Sequence, residues 1–292
     1  MTLMRSLLFV PANRANMVER AHQTPADVIV LDLEDSVPAA EKEAARSKLR
    51  EAIASLKDRG KTVHLRVNSL ASGLTREDIS AAIGPGLDGI VLPKVEGGRD
   101  IRQFDILIRE LELHNDVKPG SVVLIPHIES ARGILRCQDI VEASTRIAGL
   151  ALGAYDYALD LGVTRTQEGR ELEYARGVIV TYCAAYGLQA LDAPYGDFQD
   201  EGGLTAEAVY VRSIGFKGKY VIHPDQVGPV NGVFSPSADE VAQAKRVVAA
   251  FEEAVTAGSA AVQFEGRMVD TPIAHRAREV IRYADEIHSL GG

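Results

Sequence analysis

The chain has 292 residues, 46% of them apolar and none of them tryptophan, which suffices for one large α/β domain or two ordinary ones. Its formal net charge of −9, from 32 basic and 41 acidic residues, argues against nucleic acid as a partner. An anionic substrate would need a local metal or Arg to approach it. Cys137 and Cys183 have no metal-like spacing and suit a reducing cytosol, and no apolar stretch reaches membrane-spanning length.

The opening MTLMRSLLFVPA resembles a secretory signal only briefly, because its apolar run at 7–10 stops at Pro11. A soluble cytoplasmic protein with no membrane partner is expected. Apolar, β-rich runs then recur: SLLFVP (6–11), VIVLDLED (28–35), VHLRVN (63–68), GIVLPK (89–94), VVLIPHIE (122–129), IAGLALGAYD (147–156), LQALDAPY (188–195) and KYVIHP (219–224). They are continuous rather than alternating, as parallel strands covered on both faces are. Helical periodicity fills the gaps at 39–56, 100–113 and 171–186, and Gly60, Gly120 and Gly187 precede strands where a helix must end.

Eight runs alternating with helices fit a (β/α)8 TIM barrel over residues 1–235. A doubly wound sheet is the rival, but no Gly-rich phosphate fingerprint follows the first strand. Residues 236–292 add a helix near 238–257, the segment AVQFEGRMVD and a last helix near 273–289. A barrel closes without them, so they are expected to form a C-terminal helical extension, a lid or a subunit contact.

Barrels place their chemistry at strand C-terminal ends. The second run ends in Asp32, Glu34 and Asp35; period-two geometry puts the first two on one face and Asp35 on the other. Arg66 on the third run must be paired, either with Asp32 or Glu34 or with a substrate oxygen. Lys94 ends the fourth run and is either a Schiff-base lysine or the counter-ion of those acids, the latter favoured. His127 falls on the same face as Glu129 and is read as a supporting or core histidine; His223 carries the same ambiguity. Glu129 and Asp156 end the fifth and sixth runs. Each alone suits a helix N-terminus, but together they are competent to hold one hard divalent cation. Asp160 is assigned to the following loop.

The stretches FVPANRANM, VIVLDLEDSVP, LRVN, LPKVE, IESARG, GAYDYALDLG, GKYVIHPDQV and FEGRMVDTP span almost the whole chain in order. They resemble the citrate lyase beta-subunit-like branch of the HpcH/HpaI aldolase superfamily, which includes malyl-CoA, methylmalyl-CoA and citramalyl-CoA lyases. The resemblance implies Mg2+, or Mn2+ in its place, on Glu129 and Asp156, with a 2-oxo acid chelating the metal and Arg66 facing the reacting oxygens. It implies an acyl-CoA thioester near Phe9, Asn16, Arg20, Ile222 and His223, with Glu34, Asp35, Lys94 and His127 supporting the site. It also implies a homo-oligomer, a trimer or hexamer, in which Asp270 of the extension reaches a neighbour's barrel and moves the proton. Ala12 stands where many relatives have Gly, Asn16 where Lys is frequent, and Tyr155 where an acid is usual. A Claisen-type carbon–carbon lyase is the expected activity. A CoA-independent pyruvate aldolase and a non-catalytic assembly subunit are the alternatives.

Overall fold

In a computed structural model, which describes residues 2–290, the chain divides into two compact units, the first running to Gly232 and the second starting at Val233. The first unit holds eight parallel strands: β1 (Ser6–Pro11), β2 (Val28–Asp32), β3 (Thr62–Arg66), β4 (Gly89–Leu92), β5 (Val123–Ile128), β6 (Gly149–Leu152), β7 (Gln189–Asp192) and β8 (Gly218–Val221). They pair in sequence order, and β8 returns to β1 through the register Leu7↔Tyr220, which closes the barrel. The TIM-barrel expectation holds. Leu7, Val28, Val30, Val91, Ile125, Ala151, Leu191 and Tyr220 fill its interior with no exposed apolar surface.

Every strand except β1 stops short of the apolar run that announced it. β2 ends at Asp32 rather than 35, and β6 at Leu152 rather than 156. The excess apolar residues belong to the strand-to-helix loops: Leu33, Val67, Val95 and Ala193 are essentially buried. These loops are packed over the barrel top, so composition alone runs strand and loop together. The predicted helix at 39–56 is a 3-10 turn, Ala39–Glu41, followed by helices Lys42–Arg46 and Leu49–Lys57. Gly60, Gly120 and Gly187 have φ of 75°, 87° and 67°, the left-handed turns that the sequence required of them.

The second unit has its own small core. Helix Ala238–Thr256 starts with a capping box between Ser237 and Glu240. The AVQFEGRMVD segment is a hairpin of β9 (Val262–Phe264) and β10 (Arg267–Val269), turned at Glu265–Gly266 with φ of 48° and 76°. Positive φ at both turn positions matches the twist of a two-residue hairpin. Phe251, Val269 and Ala274 pack between the hairpin, that helix and the last helix, Thr271–Leu290. Among the described residues no helix is long and apolar enough to cross a membrane.

Outside the barrel wall lies a charge network that no sequence pattern announces. Lys219 on β8 donates to Asp192 Oδ2 at 2.6 Å and Glu207 Oε1 at 2.7 Å, and Arg176 bridges both oxygens of Asp192 at 3.0 Å. Lys219, Asp192 and Arg176 are all essentially buried. Burial alone would raise the Asp192 pKa, yet the Lys219 and Arg176 charges hold it below the usual carboxylate range. Removing one partner strands a buried charge. Lys219→Met should therefore lose roughly 3–5 kcal/mol in urea unfolding; a loss below about 1 kcal/mol, the range of exposed ion pairs, would contradict this reading.

Candidate functional site

Asp32 and Arg66 are the last residues of adjacent strands and sit opposite one another in the register. Arg66 closes its fork on Asp32, with Nε donating to Oδ1 and Nη2 to Oδ2, both at 2.7 Å. Of the two sequence readings, the ion pair thus occupies the fork. Nη1 faces Glu34 Oε2 at 3.1 Å and Asp35 Oδ2 at 3.5 Å. All three acids therefore gather round one guanidinium, contrary to the two-face expectation. The reason is local: the strand ends at Asp32, whose carboxylate accepts the N–H groups of Glu34 and Ser36 and turns the chain. Phe9 lies under the guanidinium, its centroid 4.4 Å away, and stacks on Tyr220 at 4.8 Å.

Burial raises the Asp32 pKa, but the hydrogen bonds and charge of Arg66 outweigh it and hold the group low. Glu34 goes the other way. Its burial, opposed by Arg66 and Lys94, pushes it up to about 7. Lys94 Nζ donates to Glu34 Oε1 at 2.9 Å. Burial would lower the Lys94 pKa, but that hydrogen bond and the charge of Glu34 raise it.

Glu129 directly follows β5, and Ser130 caps the next helix by accepting the Gly133 N–H. Glu129 is buried. Its Oε1 lies 3.3 Å from His127 Nδ1, and its Oε2 has no hydrogen-bond partner among the described residues. His127 Nε2 and the Tyr220 hydroxyl are likewise buried and unpartnered. Gly153 makes room for this carboxylate: a Cβ there would stand 2.2 Å from Glu129 Cγ. Asp156 follows in the first turn of helix Ala154–Asp160, half-buried. Its pKa is raised by burial and by the Glu129 charge, against the pull of Lys94.

Lys94, Glu129, Ser130, Asp156 and Asp160 line one cleft of about 300 Å³. Asp160 is the last residue of its helix rather than part of a loop, and its Oδ2 accepts the Ala131 N–H at 2.7 Å. Two repelling carboxylates, one with an unpaired buried oxygen, are a donor set that suits a hard cation. Among the described residues no three His, Cys, Asp or Glu side chains gather into a closed cage. A cation on Glu129 and Asp156 would keep open positions for water or substrate, as Mg2+ does.

The remaining candidates lie outside this network. Asn16 and Arg20 stand exposed on helix Ala15–Ala21, and Ile222 is exposed after β8. His223 caps the one-turn helix Pro224–Gln226 and stacks on Phe198 at 4.8 Å. Asp270, in the second unit, accepts the Ile273 N–H at 3.3 Å at the start of the last helix. Sequence reasoning misses Tyr220 and the role of Gly153. The only signal for Tyr220 is its inward parity on β8.

Residues 5–224 match the family model described as HpcH/HpaI aldolase/citrate lyase. This chain belongs to that family. It is 38% identical to citrate lyase subunit beta of Escherichia coli (strain K12), over 96% of this chain and 93% of that protein. It is 34% identical to the L-malyl-CoA/beta-methylmalyl-CoA lyase of Rhodobacter capsulatus, over 97% and 95% respectively. Among solved structures, protein CitE from Mycobacterium tuberculosis in complex with magnesium, acetoacetate and coenzyme A superposes with a TM-score of 0.73. That pair is 30% identical, with 96% of this chain and 97% of the other covered. The family is one of aldolases and lyases, and this chain is an enzyme of that kind.

For this family member the contact of Gly153 with Glu129 is open to a direct test. Gly153→Ala should displace the Glu129 carboxylate and weaken Mn2+ binding roughly 10–100-fold, with an unchanged far-UV circular dichroism spectrum. Unaltered Mn2+ affinity would show that Glu129 does not need this glycine.

Proposed function

We propose that the protein is a Mg2+-dependent carbon–carbon lyase of the Claisen type. It cleaves or forms a 3-hydroxyacyl-CoA from acetyl-CoA or propionyl-CoA and a small 2-oxo acid. The observation that carries the reading is the pairing of Glu129 and Asp156 on one cleft, with Glu129 Oε2 buried and unpartnered. The names of the relatives, which pair lyase activity with CoA esters and magnesium with coenzyme A, support it. Mg2+, or Mn2+, held by Glu129 and Asp156 would supply a Lewis acid for the oxygen that becomes the keto group.

The chain's own residues do the rest. Arg66, locked by Asp32 and permanently charged, stabilises enolate charge on the thioester through the field of its guanidinium, whose nitrogens face Asp32, Glu34 and Asp35. His127 steadies Glu129 through its Nδ1 contact. Asn16, Arg20 and Ile222, all exposed, together with Phe9 and His223, take the CoA thioester. Asp270 comes from a neighbouring subunit of a trimer or hexamer and moves the proton at the nucleophilic carbon. Residues 236–292 form the extension that makes this subunit contact. The buried free thiols Cys137 and Cys183, both pushed up to about 12 by burial, suit the cytoplasm. Lys94 is no Schiff-base nucleophile in this reading, because its pairing with Glu34 keeps it charged. Asn16 in place of Lys favours a second reading, a pyruvate aldolase without CoA; calorimetric titration with CoA separates the two.

Glu129→Gln and Asp156→Asn should each abolish Mg2+-dependent turnover of acyl-CoA and oxo-acid pairs while melting as the native protein does. Full activity in excess chelator would end the metal reading. For the shared site, Asp270→Asn should bind Mg2+ and oxo acid normally yet fail to exchange the α-protons of acetyl-CoA with solvent deuterium. Mixing it with Arg66→Ala should restore part of the activity in exchanged oligomers. A protein that is monomeric at working concentration excludes the shared site.

A further inference from the structure

Lys94 has a backbone that a lysine rarely adopts. It is one of three non-glycine residues with positive φ among those described, at 55°. Left-handed backbone disfavours any residue with a Cβ, and glycine would sit there without strain. The conformation is held from both sides. Leu92 ends β4, and the Val95 N–H donates to the His127 carbonyl at 3.2 Å, tying the segment to the strand that Glu129 directly follows. Unfavoured backbone kept in place by its surroundings is a reason to ask what the side chain does.

Neutralising Glu34 is not a sufficient answer. Arg66 Nη1 already lies 3.1 Å from the other oxygen of that carboxyl group. Glu34 is nearly buried, yet the Lys94 side chain is 43% exposed and lines the cleft shared by Glu129 and Asp156. An ammonium has three N–H donors and no acceptor. Glu34 Oε1 takes one of them; the hydrogen bonds found among the described residues leave the other two for the cleft. With Glu96, Glu129, Asp156 and Asp160 lining it, this mouth repels organic anions unless a cation is placed within it.

We infer that Lys94 is the anion-recognition residue of the cleft. Its two unengaged N–H donors bind the carboxylate of the small organic acid that occupies it, and the left-handed backbone aims them there. Glu34 acts on it as a positioning residue. The inference rests on the function proposed above and adds a specificity to it: an oxo acid is selected over its uncharged carbonyl analogue by Lys94 rather than by the metal alone.

The test is calorimetry on the Mg2+-loaded native protein, Lys94→Met, Lys94→Arg and Lys94→Gly, with pyruvate and uncharged pyruvamide as probes. Pyruvate should bind the native protein and weaken at least tenfold in Lys94→Met and Lys94→Gly, with an intermediate loss in Lys94→Arg. Pyruvamide should bind weakly and equally to all four. Mn2+ affinity, measured without pyruvate, should be unchanged or tighter in Lys94→Met, since a like charge has been removed. Lys94→Gly controls for folding, because its backbone is at ease at this φ and its melting point should not fall below that of Lys94→Met. Native-like pyruvate binding in Lys94→Met overturns the inference and leaves the lyase reading standing. No pyruvate binding to the native protein overturns both.

Discussion

A charge brought to the top of an apolar barrel must be paired before anything else can be built there. Asp32 and Arg66 meet that constraint at adjacent strand ends, with two parallel hydrogen bonds of 2.7 Å. The rest of the mouth hangs from this pair. Asp32 also gathers the N–H groups that turn the chain after β2, which delivers Glu34 to the same guanidinium. Glu34 holds Lys94, and Lys94 stands in the cleft with Glu129 and Asp156. Below, Arg66 rests on Phe9, and Phe9 on Tyr220. Asp32 is thereby paired with Arg66, and Glu34 lies against both Arg66 and Lys94. Glu129 and Asp156 line the same cleft, where burial, and after it the Glu129 charge, raises the Asp156 pKa. Such a pair of carboxylates suits a hard divalent cation.

How much of this was legible follows from where each signal resides. The barrel could be read because every strand is a short apolar run bounded by turn residues, and the acids could be read because they end those runs. The exact strand ends could not. Leu33, Val67, Val95 and Ala193 are as buried as the strands, so hydrophobicity does not change where the hydrogen-bond ladder stops. That error carried over to the site: period-two reasoning, valid to Asp32, assigned Asp35 to the wrong face. The choice of Asp32 over Glu34 for the Arg66 fork depends on strand register, which sequence does not supply. The need for Gly153 arises from a side chain on the neighbouring strand end. The Asp192–Lys219–Arg176–Glu207 network draws on two strands and two helices, each position unremarkable alone.

Family membership leaves the substrate open for a physical reason. Relatives with different named substrates match over nearly the whole chain at 38% and 34% identity. One methyl group in a pocket is worth about 1–3 kcal/mol, so a few side chains at the mouth suffice to change the acid or the acyl group. Tyr155 stands next to this mouth in the chain. It is 52% exposed beside Asp156, and a Cβ on Gly196 would meet its hydroxyl.

The central claim is that the arrangement at the barrel mouth exists to hold one divalent cation that remains open to an organic acid. Water-proton relaxation during titration with Mn2+ tests it on the native protein. The account predicts one Mn2+ per chain, displaced by Mg2+, with the relaxation enhancement falling when oxaloacetate is added, because the acid replaces water on the ion. Absence of Mn2+ binding, or a bound ion whose water oxaloacetate does not replace, would contradict it.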